Sequence, residues 1–191
     1  MQHPRRPSPS PLTDATFNNR RVSPYEAALG EAFLALDPEV QRAHLAPLVA
    51  VGTLDVEHGS HWTAKPLVKL LRLPNAGRSQ PVQLVVTTDG DALVWTRRIG
   101  NVDLRTRQSR AGSCIVERSG LGRMVFRLLA EQGDLRYRQT ALSLAGIRVP
   151  GIIAPHVEAR VSALPGGWHV EVRVTWRTHL VCQYAGKMAV A

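Results

Sequence analysis

Residues 82–99 read VQLVVTTDGDALVWTRRI, and this stretch decides the fold. Two runs rich in valine, threonine and leucine flank Asp89-Gly90-Asp91, the residues of a primed hairpin turn. The spacing predicts strands over Val82–Thr88 and Ala92–Ile99. Further turn residues follow at Gly100-Asn101, Gly112, Gly120-Leu121-Gly122, Gly133-Asp134 and Pro165-Gly166-Gly167. Breaks about ten residues apart, with alternating runs between them, predict an antiparallel all-β meander. The runs are Val102–Arg110, Cys114–Ser119, Met124–Glu131, Leu135–Leu144, Val157–Ala163 and Trp168–Tyr184, the last long enough to bend or divide.

Within these runs one face is apolar and the other polar. Val170, Val172, Val174 and Trp176 share a side; His169, Glu171, Arg173 and Thr175 face the other way. A split of this kind belongs to a sheet with one buried and one wetted face. In the Leu135 run, Leu135 and Tyr137 are odd-numbered but Leu142 and Leu144 even, so a bulge is expected near Thr140.

The N-terminal side reads differently. Residues 1–23 carry four arginines, one aspartate and many prolines and serines, with few large apolar side chains. That composition predicts a disordered basic tail ahead of an α+β domain over residues 24–191. Ser23-Pro24 opens a helix carrying Leu29, Phe33 and Leu36, and Asp37-Pro38 starts a second short one. Leu48–Glu57 reads as the first strand. Lys65–Leu73 is then an amphipathic helix with Leu67, Leu70 and Leu71 on one side and Lys65, Lys69 and Arg72 on another. The expected architecture is α+β, with the helices packed on a long, curved antiparallel meander, a half-open barrel-like sheet.

Composition bounds the function. The 191-residue chain is 44% hydrophobic, as a folded globular protein requires. No apolar run approaches the roughly eighteen residues of a helical membrane span, and the N-terminus lacks an apolar signal region. The expectation is a cytoplasmic protein of bacterial type. Cys114 and Cys182 do not form a disulfide framework. The net charge of +9 comes almost wholly from arginine, which outnumbers lysine 21 to 3, and it concentrates on the β region. Arginine suits planar pairing with carboxylate or phosphate.

Reactive constellations are weak. Glu57, His58 and His61 form the most metal-like cluster, but no further pair stands at ligand spacing, so a polar loop is the simpler reading and no metal is expected. His179 and Cys182, three apart on a strand, face opposite ways. Asp89 and Asp91 serve turn geometry. Ser113, Cys114 and Ser119 have no matching histidine motif. Aromatic residues make up 5% of the chain, too few for a favoured single-stranded nucleic-acid platform.

The runs ALGEAFLAL, WTRRIG, LRYRQTALSLAGIRVPGIIAP and VEARV resemble an uncharacterised bacterial family, domain of unknown function family 4166, over about residues 25–186. The resemblance rests on Trp95, Arg97, Gly100, Arg136, Arg138, Pro150, Pro155 and Glu158. It implies a domain found alone or appended to NAD(P)-dependent saccharopine-dehydrogenase-like or epimerase-like proteins. No glycine-rich dinucleotide fingerprint stands here, so no cofactor is expected and any such enzyme would be a separate chain. The C-terminal QYAGKMAVA departs from the family's aromatic ending.

Together these features predict a noncatalytic binding module for an apolar or amphiphilic anionic small molecule. The alternative is an auxiliary domain docking on a separate NAD(P)-dependent enzyme. Candidate ligand-binding residues are Trp95, Arg97, Arg136, Arg138 and Glu158, and Lys65, Lys69 and Arg72 mark a candidate lid helix.

Overall fold

The computed structural model describes residues 22–191. The basic tail expected over residues 1–23 therefore lies almost wholly outside the described residues. Its last residue, Ser23, is buried, accepts a hydrogen bond from the Tyr25 amide and forms a capping box with Glu26, so it is part of the fold.

Three short segments follow: α1 (Pro24–Leu29), a 3₁₀ turn (Gly30–Ala35) and α2 (Pro38–Ala43). The chain then forms β1 (Leu48–His58), α3 (Ala64–Leu70), β2 (Gly77–Asp89), β3 (Ala92–Ile99), β4 (Val102–Ala111) and β5 (Cys114–Ser119). After these come β6 (Gly122–Glu131), β7 (Asp134–Leu144), the two-residue β8 (Ile147–Arg148), β9 (Pro155–Leu164), β10 (Gly167–Trp176) and β11 (His179–Val190).

The expected half-open sheet is in fact a closed barrel of ten strands. Neighbours run antiparallel from β6 back through β1 to β11, β10, β9 and β7, and β6 pairs with β7 to complete the circuit. β8 forms only a small hairpin on the end of β7. Closure depends on β1 pairing with β11 from Ala50↔Val190 to His58↔Cys182. The strands meet so tightly that a Cβ on Gly52 would strike the Lys187 carbonyl and one on Gly186 the Thr53 carbonyl. Closing the sheet leaves no unpaired edge, which removes a route to aggregation. The C-terminal QYAGKMAVA segment thus supplies the closing strand despite its departure from the family ending.

Local expectations held at several points. Gly90 has φ 59 and begins the two-residue β2–β3 turn. The long C-terminal run divides at Arg177, which has φ 55. Thr140 is the extra residue between Phe126↔Gln139 and Val125↔Ala141, so the bulge carries the inward face from Tyr137 and Gln139 over to Leu142.

The two ends of the barrel differ. The N-terminal helices cover one end, where α1 packs on β4, β5 and β6 and α2 on β9 and β10. Asp37 donates its amide hydrogen to the Gly133 carbonyl in the β6–β7 turn, fixing this plug. At the other end the one helix beside the rim among the described residues is α3, against β11 and β1. It is shorter than expected, and Leu70 is 66% exposed on the basic side, while Leu67, Val68 and Leu71 pack inward. No helix among the described residues is long and apolar enough to cross a membrane.

Candidate functional site

Strand alternation turns two sets of side chains into the barrel. Most are apolar and form the core, among them Leu84, Ile99, Leu128, Val172 and Val174. The remainder are polar and gather beneath the helical plug. Between this cluster and the uncovered end lies a cavity of about 220 Å³, lined by His44, Trp95, Arg97, Tyr137 and Tyr184 and walled elsewhere mainly by aliphatic residues. A cavity of this size is compatible with a compact ligand.

The polar cluster can be built up from its donors and acceptors. The His44 Nδ1 lies 2.6 Å from the Val40 carbonyl, which can only accept, so Nδ1 carries the hydrogen. Nε2 is then an acceptor and takes the Tyr137 hydroxyl hydrogen in a short hydrogen bond. Burial holds this imidazole neutral, pulling its pKa down to about 4. The Tyr25 hydroxyl donates to Gln108 Oε1 at 2.6 Å, and the Gln108 amide donates to Glu117 Oε2 at 2.8 Å. Burial raises the pKa of both tyrosines, so their hydroxyls remain protonated. This part of the cluster is two hydrogen-bonded chains side by side, Val40–His44–Tyr137 and Tyr25–Gln108–Glu117.

Arg97 is incompletely partnered. It lies over the Trp95 ring, 4.9 Å from the centroid, and its nearest carboxylate is Glu117 Oε1 at 3.8 Å. It makes no hydrogen bond among the described residues, although its side chain is only 24% exposed. Burial is the largest single effect and acts to lower its pKa, but Glu117 together with Tyr184, Tyr25 and Tyr137 outweighs it and holds the guanidinium above its ordinary value. The Tyr184 hydroxyl also lacks a hydrogen-bond partner among the described residues. Burial pushes its pKa up to about 12 against the pull of the Arg97 charge. In the same wall, Trp95 Nε1, Thr106 Oγ1 and Gln139 Oε1 are buried without partners among the described residues. The Gln139 amide donates to the Pro155 carbonyl, which fixes its oxygen as the atom left over. Each such atom costs about 1–3 kcal/mol unless something satisfies it.

Of the residues singled out from the sequence, Trp95 and Arg97 come together inside the barrel. Arg136, Arg138 and Glu158 do not join them. They lie on the outer face, where Arg136 pairs with Glu131 at 3.3 Å and Arg138 with Glu158 at 3.8 Å. Their parity is opposite to that of Tyr137 and Gln139, so they cannot reach the cavity. Other outer arginines are also paired, Arg98 with Asp103 and Arg107 with Asp89. Lys65, Lys69 and Arg72 are exposed beside the uncovered rim. At the end of β1, His58 is bonded to the Pro74 carbonyl, and in the loop after it His61 is bonded to Thr63 and stacked on His179. Both cysteines are free.

Sequence reasoning missed Tyr25, His44 and Gln108. Tyr25 and His44 come from the plug and its connection to β1, where no periodicity reveals burial. Gln108 carries the parity of Leu104 and Thr106 and was legible as inward-facing.

These features define a class, a closed antiparallel barrel with helices across one end and a partly polar cavity within. Residues 36–188 match the family described as Domain of unknown function (DUF4166). The chain belongs to that family. No curated protein matches the chain.

Proposed function

We propose that the barrel is a noncatalytic binding module for a small amphiphilic anion. A carboxylate or similar head would meet Arg97 and the Tyr184 hydroxyl, and an apolar tail would lie along the aliphatic wall toward the uncovered end. The observation carrying this reading is Arg97 itself, a largely buried guanidinium that makes no hydrogen bond among the described residues and has its nearest carboxylate, Glu117, at 3.8 Å. Desolvating such a group is costly unless its donors are used, and an entering anion would use them. The cavity volume of about 220 Å³ favours a single short chain.

Calorimetric titration with octanoate, and with octanol as the uncharged control, tests the reading. Octanoate should bind more tightly than octanol. Arg97→Gln should weaken octanoate about ten- to a hundredfold, the range of a charge-assisted hydrogen bond, while octanol binding is retained and reports an intact cavity. Equal affinity for the two compounds, or an Arg97→Gln variant with unaltered octanoate affinity, would reject the proposal.

A further inference from the structure

The uncovered end of the barrel exposes apolar side chains from three separate connections. Twelve large hydrophobic residues are exposed among the described residues, and six of them stand at this end. Trp62 (77% exposed) and Leu70 lie between β1 and β2, Leu121 (78%) in the β5–β6 turn, and Ile147, Ile152 (76%) and Ile153 between β7 and β9. The rim is held in place by Trp176, whose indole N–H donates to the Ile153 carbonyl at 3.0 Å. Single exposed apolar residues are ordinary, but a set on one end of a molecule marks a contact surface.

Charge identifies the partner. The connections at this end, residues 59–76, 100–101, 120–121, 145–154 and 177–178, contain Lys65, Lys69, Arg72, Arg148 and Arg177 and no acidic residue. At the plugged end, residues 22–47, 90–91, 112–113, 132–133 and 165–166 contain five acidic residues and one arginine. A dipolar barrel of this kind approaches a negative surface with its open end first. Apolar tips surrounded by cations, with an indole among them, match the headgroup region of an anionic bilayer.

We infer that the open end docks on the surface of an anionic lipid bilayer, inserting Leu121 and Ile152 while Lys65, Lys69 and Arg72 lie against the headgroups. Docking would place the cavity entrance where amphiphiles partition. The inference stands on the outer rim alone and does not depend on what the interior holds.

Co-sedimentation with vesicles of phosphatidylglycerol and phosphatidylcholine, against phosphatidylcholine alone, provides the test. The protein should bind the anionic vesicles at low salt, less at physiological salt, and the neutral ones weakly. Changing Lys65, Lys69 and Arg72 together to glutamine should weaken binding about a hundredfold, equivalent to about 3 kcal/mol at about 1 kcal/mol for each cation. Leu121→Ser with Ile152→Ser should weaken it further at unchanged charge and without unfolding, because both side chains are already exposed. Failure to sediment at low salt would overturn the inference. So would full binding by the serine variant, or binding to soluble heparin without binding to vesicles, which would mark a general polyanion site. Octanoate titration of the glutamine variant separates the two proposals, since its interior is untouched.

Discussion

At one end of the barrel Tyr25 and His44 are almost completely buried and hydrogen-bonded; at the other, Leu121 and Ile152 are more than three-quarters exposed. Both ends are built from the segments that connect the strands. The difference is that the plug's own polar side chains, Tyr25 and His44, are hydrogen-bonded within the chain, whereas the open end leaves apolar surface and positive charge exposed. Stability should therefore be concentrated at the plug and any contact with other molecules at the rim.

The largest expected effect follows from a charge placed in the plug. Val40 is fully buried, so Val40→Asp would bury a carboxylate with no partner and should prevent accumulation of folded protein. Ile152→Asp at the rim should leave the melting temperature nearly unchanged. Circular dichroism of the two variants checks this contrast, and equal damage from both would break it.

Acid should affect the plug next. His44 has a folded pKa of about 4, below its ordinary value of 6.5. The unfolded chain takes up a proton before the folded one does, so stability is fully present above about pH 6.5 and falls as the pH drops toward 4. By the usual conversion, the loss is roughly 3 kcal/mol. Denaturant unfolding across this range should show the fall in the native protein and a smaller one in His44→Gln. An unchanged slope in the variant would show that other groups carry the acid sensitivity.

A smaller effect is expected from a single hydroxyl. Tyr137→Phe would leave His44 Nε2 buried without its donor and should cost about 1–3 kcal/mol. The neighbouring Arg138→Gln, on the outer face, should change stability by no more than about 0.5 kcal/mol. Comparable losses at the two positions would mean that the inward and outward faces of β7 are misassigned.

Local features were legible because each leaves a periodic trace. The bulge at Thr140 appears as a change in the parity of apolar residues, and the inward direction of Arg97 follows from sharing parity with Leu93, Trp95 and Ile99. The same test places Arg136 and Arg138 outside, opposite to Leu135 and Tyr137, and it outweighs their attraction as a charged pair. Closure left no such trace. It joins Ala50 to Val190 across most of the chain, and the seam depends on the absent side chains of Gly52 and Gly186. His44 was hidden because burial in an irregular connection depends on which strands meet above it.

The β1–β11 seam also determines how the molecule can be handled. Ala191 donates its amide hydrogen to the Val49 carbonyl, close to where the chain enters β1 from the plug, so residues 22 and 191 both lie toward the plugged end. A tag, tether or fused protein at either position projects away from the rim. Immobilised through such an attachment, the barrel would present its entrance outward to whatever flows past it.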